Sequence, residues 1–166
     1  MSRRSAMDFE EADSLNEAIR AIGIRHRALG MAALAPLGIH PGHKLLLLEL
    51  ERAGPRTQAQ LAAASGYEPP TITMSVRQLE AAGLVIRRPS LSDGRATMVE
   101  LSDQGRELLP KLKAAWVGLA EETVAGLSST SQDQVRKVLS ELAANLTRKA
   151  GSLEDVPHYI ARPEPR

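Results

Sequence analysis

Residues 57–101 read TQAQLAAASGYEPPTITMSVRQLEAAGLVIRRPSLSDGRATMVEL, and the fold turns on how this stretch divides. Thr57 is followed three residues later by Gln60, so the hydroxyl and the side-chain amide can each satisfy a backbone N–H of the other, a capping box that predicts a helix start. The helix runs through Leu61 and a string of alanines and stops near Gly66, a residue that accepts the left-handed conformation of a helix end. Pro69 and Pro70 lack amide hydrogens, which costs nothing in a first helical turn. A second helix is therefore expected around them, with Pro70 near its first position.

At 100° per residue, Ile72, Val76, Leu79 and Gly83 fall on one side of this second helix, the side predicted to be buried. The opposite side carries Pro70, Met74, Arg77 and Ala81, with Thr73 on one edge and Thr71 and Gln78 on the other. A helix made only for solvent would more often carry pairs of Glu and Lys. Hydroxyls, an amide and a guanidinium are groups that read base edges and phosphates in a major groove. On this helix alone, a plain surface helix of a small bundle stays open as the alternative.

The segment after Gly83 weighs against that alternative. Leu84-Val85-Ile86 and the run Thr97 to Leu101 have strand character and flank a connection containing Ser92-Asp93-Gly94. Asp-Gly between two such runs is a strong hairpin signal. Arg87, Arg88 and Arg95 lie around the hairpin, and Pro89 is expected to discourage further pairing of its first strand. A basic hairpin beside a helix-turn-helix is a wing.

These residues resemble the multiple antibiotic resistance regulator (MarR) family of winged-helix transcription factors. The resemblance is carried by Pro70-Thr71-Ile72-Thr73, by Leu79-Glu80 with Gly83-Leu84-Val85, by Arg87-Arg88-Pro89, by Asp93-Gly94-Arg95, and by Leu101-Ser102 followed by Gly105. It covers roughly residues 15–149. It implies that Arg95 enters a minor groove from the wing tip while Asp93 orients nearby basic groups, and that Thr71 and Thr73 lie at the DNA surface. The whole set assigned to DNA is Thr57, Gln58, Pro70, Thr71, Thr73, Met74, Arg77, Gln78, Arg88, Asp93 and Arg95. Where many relatives carry a basic residue this chain has Met74 and Gln78, with its arginine at Arg77 instead.

Composition bounds the rest. With 166 residues and 43% apolar content the chain can bury a real core, yet only four residues are Phe, Tyr or Trp. The core must be aliphatic, which favours packed helices over a sheet sandwich. The absence of cysteine removes disulfides, thiol nucleophiles and cysteine metal sites. No stretch approaches the roughly 20 apolar residues that span a membrane, and the N-terminus has no apolar signal core, so a cytoplasmic protein is expected. No phosphate loop and no carboxylate–histidine grouping with catalytic spacing is present, so no enzyme and no cofactor are expected. Net charge is only +1, but residues 52–106 hold seven arginines and no lysine against five acids. Binding to double-stranded DNA would then depend on where the charges sit rather than on their sum.

On either side the pattern is helical. Phe9, Ala12, Leu15, Ile19 and Ile22 recur at three- or four-residue steps within residues 7–34, where Gly23 and Gly30 should weaken or bend the helix. A short, largely buried helix is predicted from Pro41 to the break at Gly54-Pro55. His40 and His43 are spaced as metal ligands can be, but a capping or interface role is preferred and no metal is expected. A long helix is expected from Gln104 to Leu127, with Pro110 in or near its first turns, then a cap in Ser128–Ser131 and a striped helix over 132–149. These terminal helices carry more apolar surface than the winged helix can cover, which suggests a homodimer.

The expected fold is thus mainly α: a winged helix-turn-helix with a small β-hairpin wing, flanked by N- and C-terminal dimerisation helices. The divisions are 1–36, 37–103, 104–150 and a Pro-containing tail over 151–166. The function implied is a dimeric, sequence-specific transcriptional regulator, a ligand-responsive repressor on a palindromic operator; a winged-helix module that binds proteins is the alternative. The resemblance also implies a small aromatic or anionic effector between the dimerisation helices and the winged helix, near Arg25, His26, His43, Leu47 and Trp116. Against that pocket stand the readings, preferred for these residue types, of Trp116 as core and Arg25 as half of an ion pair across the dimer.

Overall fold

Thr57 is where strand turns into helix. The computed structural model describes residues 7–90 and 97–150, and in it Thr57 ends a two-residue strand β1 (Arg56–Thr57) and caps α3 (Gln58–Ser65). Its Oγ1 accepts from the Gln60 amide at 3.2 Å, and the Gln60 side chain accepts from the Thr57 amide at 2.9 Å, the capping box expected from the spacing. Gly66 closes α3 in the left-handed region at φ +72°, donating its N–H to Ala62. The helix α4 (Pro69–Ala81) begins at Pro69 with Pro70 next, the start expected around the two prolines, because both fit the first turn.

Before this unit come α1 (Phe9–Leu34), a short 3₁₀ turn (Ala35–Leu37) and α2 (Pro41–Ala53); after it come β2 (Val85–Pro89), β3 (Thr97–Leu101), α5 (Asp103–Thr123) and α6 (Ser129–Ala150). The sheet order is β1-β3-β2, all antiparallel. The hairpin begins at Val85 rather than Leu84, and β2 ends at Pro89, as expected, with Pro89 taking the last pairing, opposite Thr97. A proline is tolerated there because β2 is an edge strand. The third strand, β1, was not expected: two residues in front of a cap show no alternation to read. The wing tip with Asp93 and Arg95, and the tail over 151–166, lie outside the described residues.

The core is aliphatic, as the composition required. Leu46, Leu47 and Leu50 of α2 meet Leu61, Ile72, Val76, Leu79, Val85, Val99 and Leu112. Gly83 does not belong to the buried face of α4; it sits in the turn after it at φ +71°. Ser102 caps α5 by accepting from the Gly105 amide at 2.9 Å and donates to the Gly83 carbonyl at 2.6 Å, which ties the sheet to the helix. Pro110 lies inside α5 rather than in its first turns, so the Arg106 carbonyl lacks its usual intrahelical donor. The helix ends at Thr123, short of Leu127, with Gly126 left-handed at φ +83°.

α1 packs along α5. Gly30 there is buried, and a Cβ on it would meet the Trp116 ring at 3.3 Å, so this glycine makes room for the one tryptophan. Much of the terminal apolar stripe stays uncovered: Phe9, Ile22, Val117, Val138 and Leu146 are all more than half exposed. No helix of the described residues is long and apolar enough to cross a membrane.

Candidate nucleic-acid interface

The outer face of α4 is set by what its inner face must bury. With Ile72, Val76 and Leu79 in the core, Pro70, Met74, Arg77 and Gln78 are left exposed, and Thr71 and Thr73 lie half-buried at the edges. α3 supports α4 through Thr73, whose Oγ1 donates to Gln58 Oε1 at 2.9 Å and lies 3.0 Å from the Pro69 carbonyl. Thr57 is half-buried with its hydroxyl engaged as a cap. Of the residues assigned to DNA from the sequence, then, Pro70, Met74 and Arg77 share one open face, while Thr57, Gln58 and Thr73 have side-chain atoms already bonded within the protein.

The arginines differ sharply in what surrounds them. Arg52 and Arg56 pair with Glu49, Arg106 with Asp103 and Arg88 with Glu100, the last at 2.7 Å across the base of the hairpin. Arg87 donates through Nε to Glu80 at 2.8 Å and also through Nη2. That bond holds the Glu80 carboxyl below the usual carboxylate range and raises the guanidinium. Arg77 alone among the described arginines of residues 52–106 has no hydrogen-bond or ion-pair partner. An unpaired guanidinium on an exposed helix face keeps all five donors for a partner.

Gln78 and His43 were assigned to two different sites, yet the structure joins them. His43 Nε2 lies 3.1 Å from Gln78 Oε1, and His43 is buried. Its ring stacks on His40 with centroids 3.6 Å apart, while His40 Nδ1 caps α2 by accepting from the Gly42 and His43 amides. Burial, then the neighbouring His40, pushes His43 down to about 4, against a smaller upward pull from Gln78. Residues 35 apart in sequence carry no shared signal of such a contact.

The residues assigned to an effector pocket separate. His26 and Trp116 do meet, edge to face at 6.2 Å, and line a cleft of about 250 Å³ with Arg27, Lys44 and Leu45. Leu47 is fully buried in the core, His43 turns to α4, and Arg25 is exposed outside the cleft. The cation at the tryptophan is Lys44, with Nζ 3.8 Å from the ring centroid, its pKa lowered by burial. A larger groove of about 540 Å³, bridged by the 2.7 Å Lys113–Glu51 pair, lies between the end of α2, β3 and α5. Among the described residues no group of three or more His, Asp or Glu could hold a metal ion.

This arrangement has close parallels among known proteins. A model of the MarR family matches residues 37–96. A probable transcriptional regulator from Pseudomonas aeruginosa is 30% identical, with 77% of this chain covering 96% of that one at a TM-score of 0.70. A MarR-family regulator from Rhodococcus sp. RHA1 is 26% identical, with 80% of this chain covering 94% of that one at a TM-score of 0.67. BpsR of Bordetella bronchiseptica, whose DNA binding is regulated by 6-hydroxynicotinic acid, shares the fold at 18% identity, 84% and 98% coverage and a TM-score of 0.70. The family model over the helix-turn-helix and hairpin, and a relative matched over nearly its whole length, agree with the winged-helix geometry: this chain belongs to the MarR family and is a DNA-binding transcriptional regulator.

Proposed function

We propose that this protein is a homodimeric repressor that binds an inverted-repeat operator and is released from it by a small aromatic or anionic effector. The observation that carries the DNA reading is Arg77, unpaired on the open face of α4 beside Pro70, Thr71 and Met74. In this reading Arg77 reaches a base edge or phosphate in the major groove, Gln78 lies beside it, and Gln58 and Thr73 brace the helix. Arg88, Asp93 and Arg95 serve the wing in the minor groove. Dimerisation is supported by the uncovered apolar faces of α1, α5 and α6, since hydrophobic faces of this length are buried in stable proteins.

A two-fold protein requires a two-fold site, with half-sites about one helical turn, roughly 10 bp, apart. Selection from a random duplex library is the direct test, with sedimentation at micromolar concentration beside it. An enriched inverted repeat bound by a dimer is expected. A stable monomer, or enrichment without two-fold symmetry, contradicts the reading.

For the effector, Lys44 and Trp116 offer a cation and a ring at one cleft. A flat aromatic acid suits that pair, its carboxylate on the ammonium and its ring against the indole. The regulation of BpsR by 6-hydroxynicotinic acid is a precedent of the same chemical class.

A further inference from the structure

We propose that His43 is a positioning residue for base recognition: it holds the amide of Gln78 so that α4 offers the DNA an NH₂ donor and no carbonyl acceptor there, which selects against adenine. The inference rests on the reading that the open face of α4 enters the major groove.

The argument begins at the proton on His43. Its Nε2 faces Gln78 Oε1 at 3.1 Å, while its Nδ1 is buried with no partner among the described residues. A neutral imidazole has one N–H donor and one bare acceptor nitrogen. Were the proton on Nδ1, a buried N–H would be left orphaned, and the Gln78 amide would have to turn over to donate to Nε2. Orphaned buried donors are rarer than orphaned lone pairs. The proton therefore sits on Nε2 and is donated to Gln78 Oε1. The ring cannot swing away to change this, because it is buried and stacked on His40, whose Nδ1 is fixed by two backbone amides of α2.

The consequence falls on Gln78, which is otherwise exposed. A glutamine reads adenine with both ends of its amide, accepting from N6 and donating to N7. With the oxygen turned inward to α2, only the NH₂ group faces outward. That group matches the acceptors of guanine, O6 and N7, or thymine O4, and it meets adenine at N7 alone. A residue of α2 thus sets base preference without touching DNA.

The test compares operators selected from one random duplex library by wild type, His43→Phe and Gln78→Ala, with the full chain throughout. Phenylalanine keeps the ring and its stacking but removes the donor. Wild type is expected to prefer guanine or thymine at one position of each half-site, and Gln78→Ala to lose that preference. His43→Phe, its glutamine oxygen freed, is expected to gain adenine at the same position by roughly fivefold or more and to leave other positions unchanged. An unchanged selection by His43→Phe, or equal changes at every position, overturns the proposal. So does unchanged selection by Gln78→Ala, with the dimeric regulator left standing; failure of wild type to select any sequence removes both. Long-range proton–nitrogen NMR of the wild type tests the first step without DNA or any substitution: a proton on His43 Nε2 is expected, and one on Nδ1 overturns the inference.

Discussion

The carbonyl oxygen of Leu84 occupies the place where a side chain on residue 105 would begin: a Cβ built on Gly105 lies 2.1 Å from it. The first turn of α5 thereby presses on the start of the hairpin, and Ser102 bonds to both the Gly105 amide and the Gly83 carbonyl at the same corner. Because the obstacle is backbone, it cannot rotate aside. Gly105→Ala should destabilise the fold by at least about 1–3 kcal/mol, the usual cost of forcing atoms into a packed site. Gly23→Ala, where a Cβ meets nothing within 4 Å among the described residues, should be neutral or stabilising by up to about 1 kcal/mol. Urea unfolding of both variants checks the contrast, and equal effects would contradict the packing account.

His43 gives the fold a sensitivity to acid. In the unfolded chain it takes up a proton near its ordinary value of 6.5, but in the fold only near 4, since burial and His40 disfavour the charge. Between these values the unfolded chain holds more protons than the folded one. Stability is therefore complete above about pH 6.5 and falls as the pH drops towards 4, by up to about 3 kcal/mol for this group. His40, also pushed down by burial, acts in the same direction. The measurement is stability against pH for wild type and His43→Phe. The variant should show a flatter loss between pH 6.5 and 4, and parallel curves would exclude His43 as the source.

The parts of this molecule that were legible from sequence are those with local causes. The Thr57–Gln60 capping box, the Gly66 stop, the apolar face of α4 and the hairpin strands each follow from residues a few positions apart, and each is present. β1 was hidden because its two residues gain strand character only from β3, some forty residues later. The His43–Gln78 bond and the seat of Lys44 on Trp116 were hidden for the same reason: α2 meets α4 and α5 only in the folded chain. Arg25 is the cation that the sequence suggests, but it is exposed and is not among the residues lining the cleft with His26.

Two arginines should divide the work on DNA. Arg77→Ala, if the guanidinium makes a bidentate contact to a base edge, costs about 1–3 kcal/mol on the operator and relaxes preference at one position. Arg95→Ala should instead weaken many sequences together, since a wing in a narrow minor groove reads shape and charge. Titrations of operator and scrambled duplex at several salt concentrations separate these. Sequence-blind loss for Arg77→Ala would make it a phosphate clamp, and unchanged binding in both variants would discard the docking.

The dimer prediction follows from exposed apolar area. Ile22 is 56% exposed and Leu146 64% exposed in a single chain. Burying such a side chain contributes about 1.5–3 kcal/mol, and two-fold symmetry counts every substitution twice. Ile22→Glu and Leu146→Glu should each raise the dimer dissociation constant by roughly a hundredfold or more, while leaving the winged-helix core folded. Sedimentation over a concentration series, with circular dichroism as the control for folding, reads this. A dimer unaffected by either charge would place the interface elsewhere.

The proposed control by a small molecule makes its most specific demand on Lys44. Its ammonium lies against the Trp116 ring and is largely shielded from water, so its charge is already partly desolvated before any ligand arrives. An aromatic carboxylate entering the cleft beside His26 gains a charge-assisted bond there without the full cost of stripping water from a free lysine. To release DNA the ligand must bind the operator-incompetent spacing of the two α4 helices more tightly than the competent one, since equal affinity shifts nothing. α1, α2 and α5 all border this cleft, so a ligand there can act on how the winged helix sits against the terminal helices. A panel of aromatic acids should include one that frees the operator from wild type. Lys44→Met should need roughly tenfold more of it or worse, in line with the loss of a hydrogen bond to a charged group, and Trp116→Ala should also need more of it, through the loss of the ring contact. Arg25→Ala should respond like wild type. Sensitivity lost in Arg25→Ala but kept in Lys44→Met would exchange the roles of the two cations, and equal release in all four proteins would move the effector site away from Trp116.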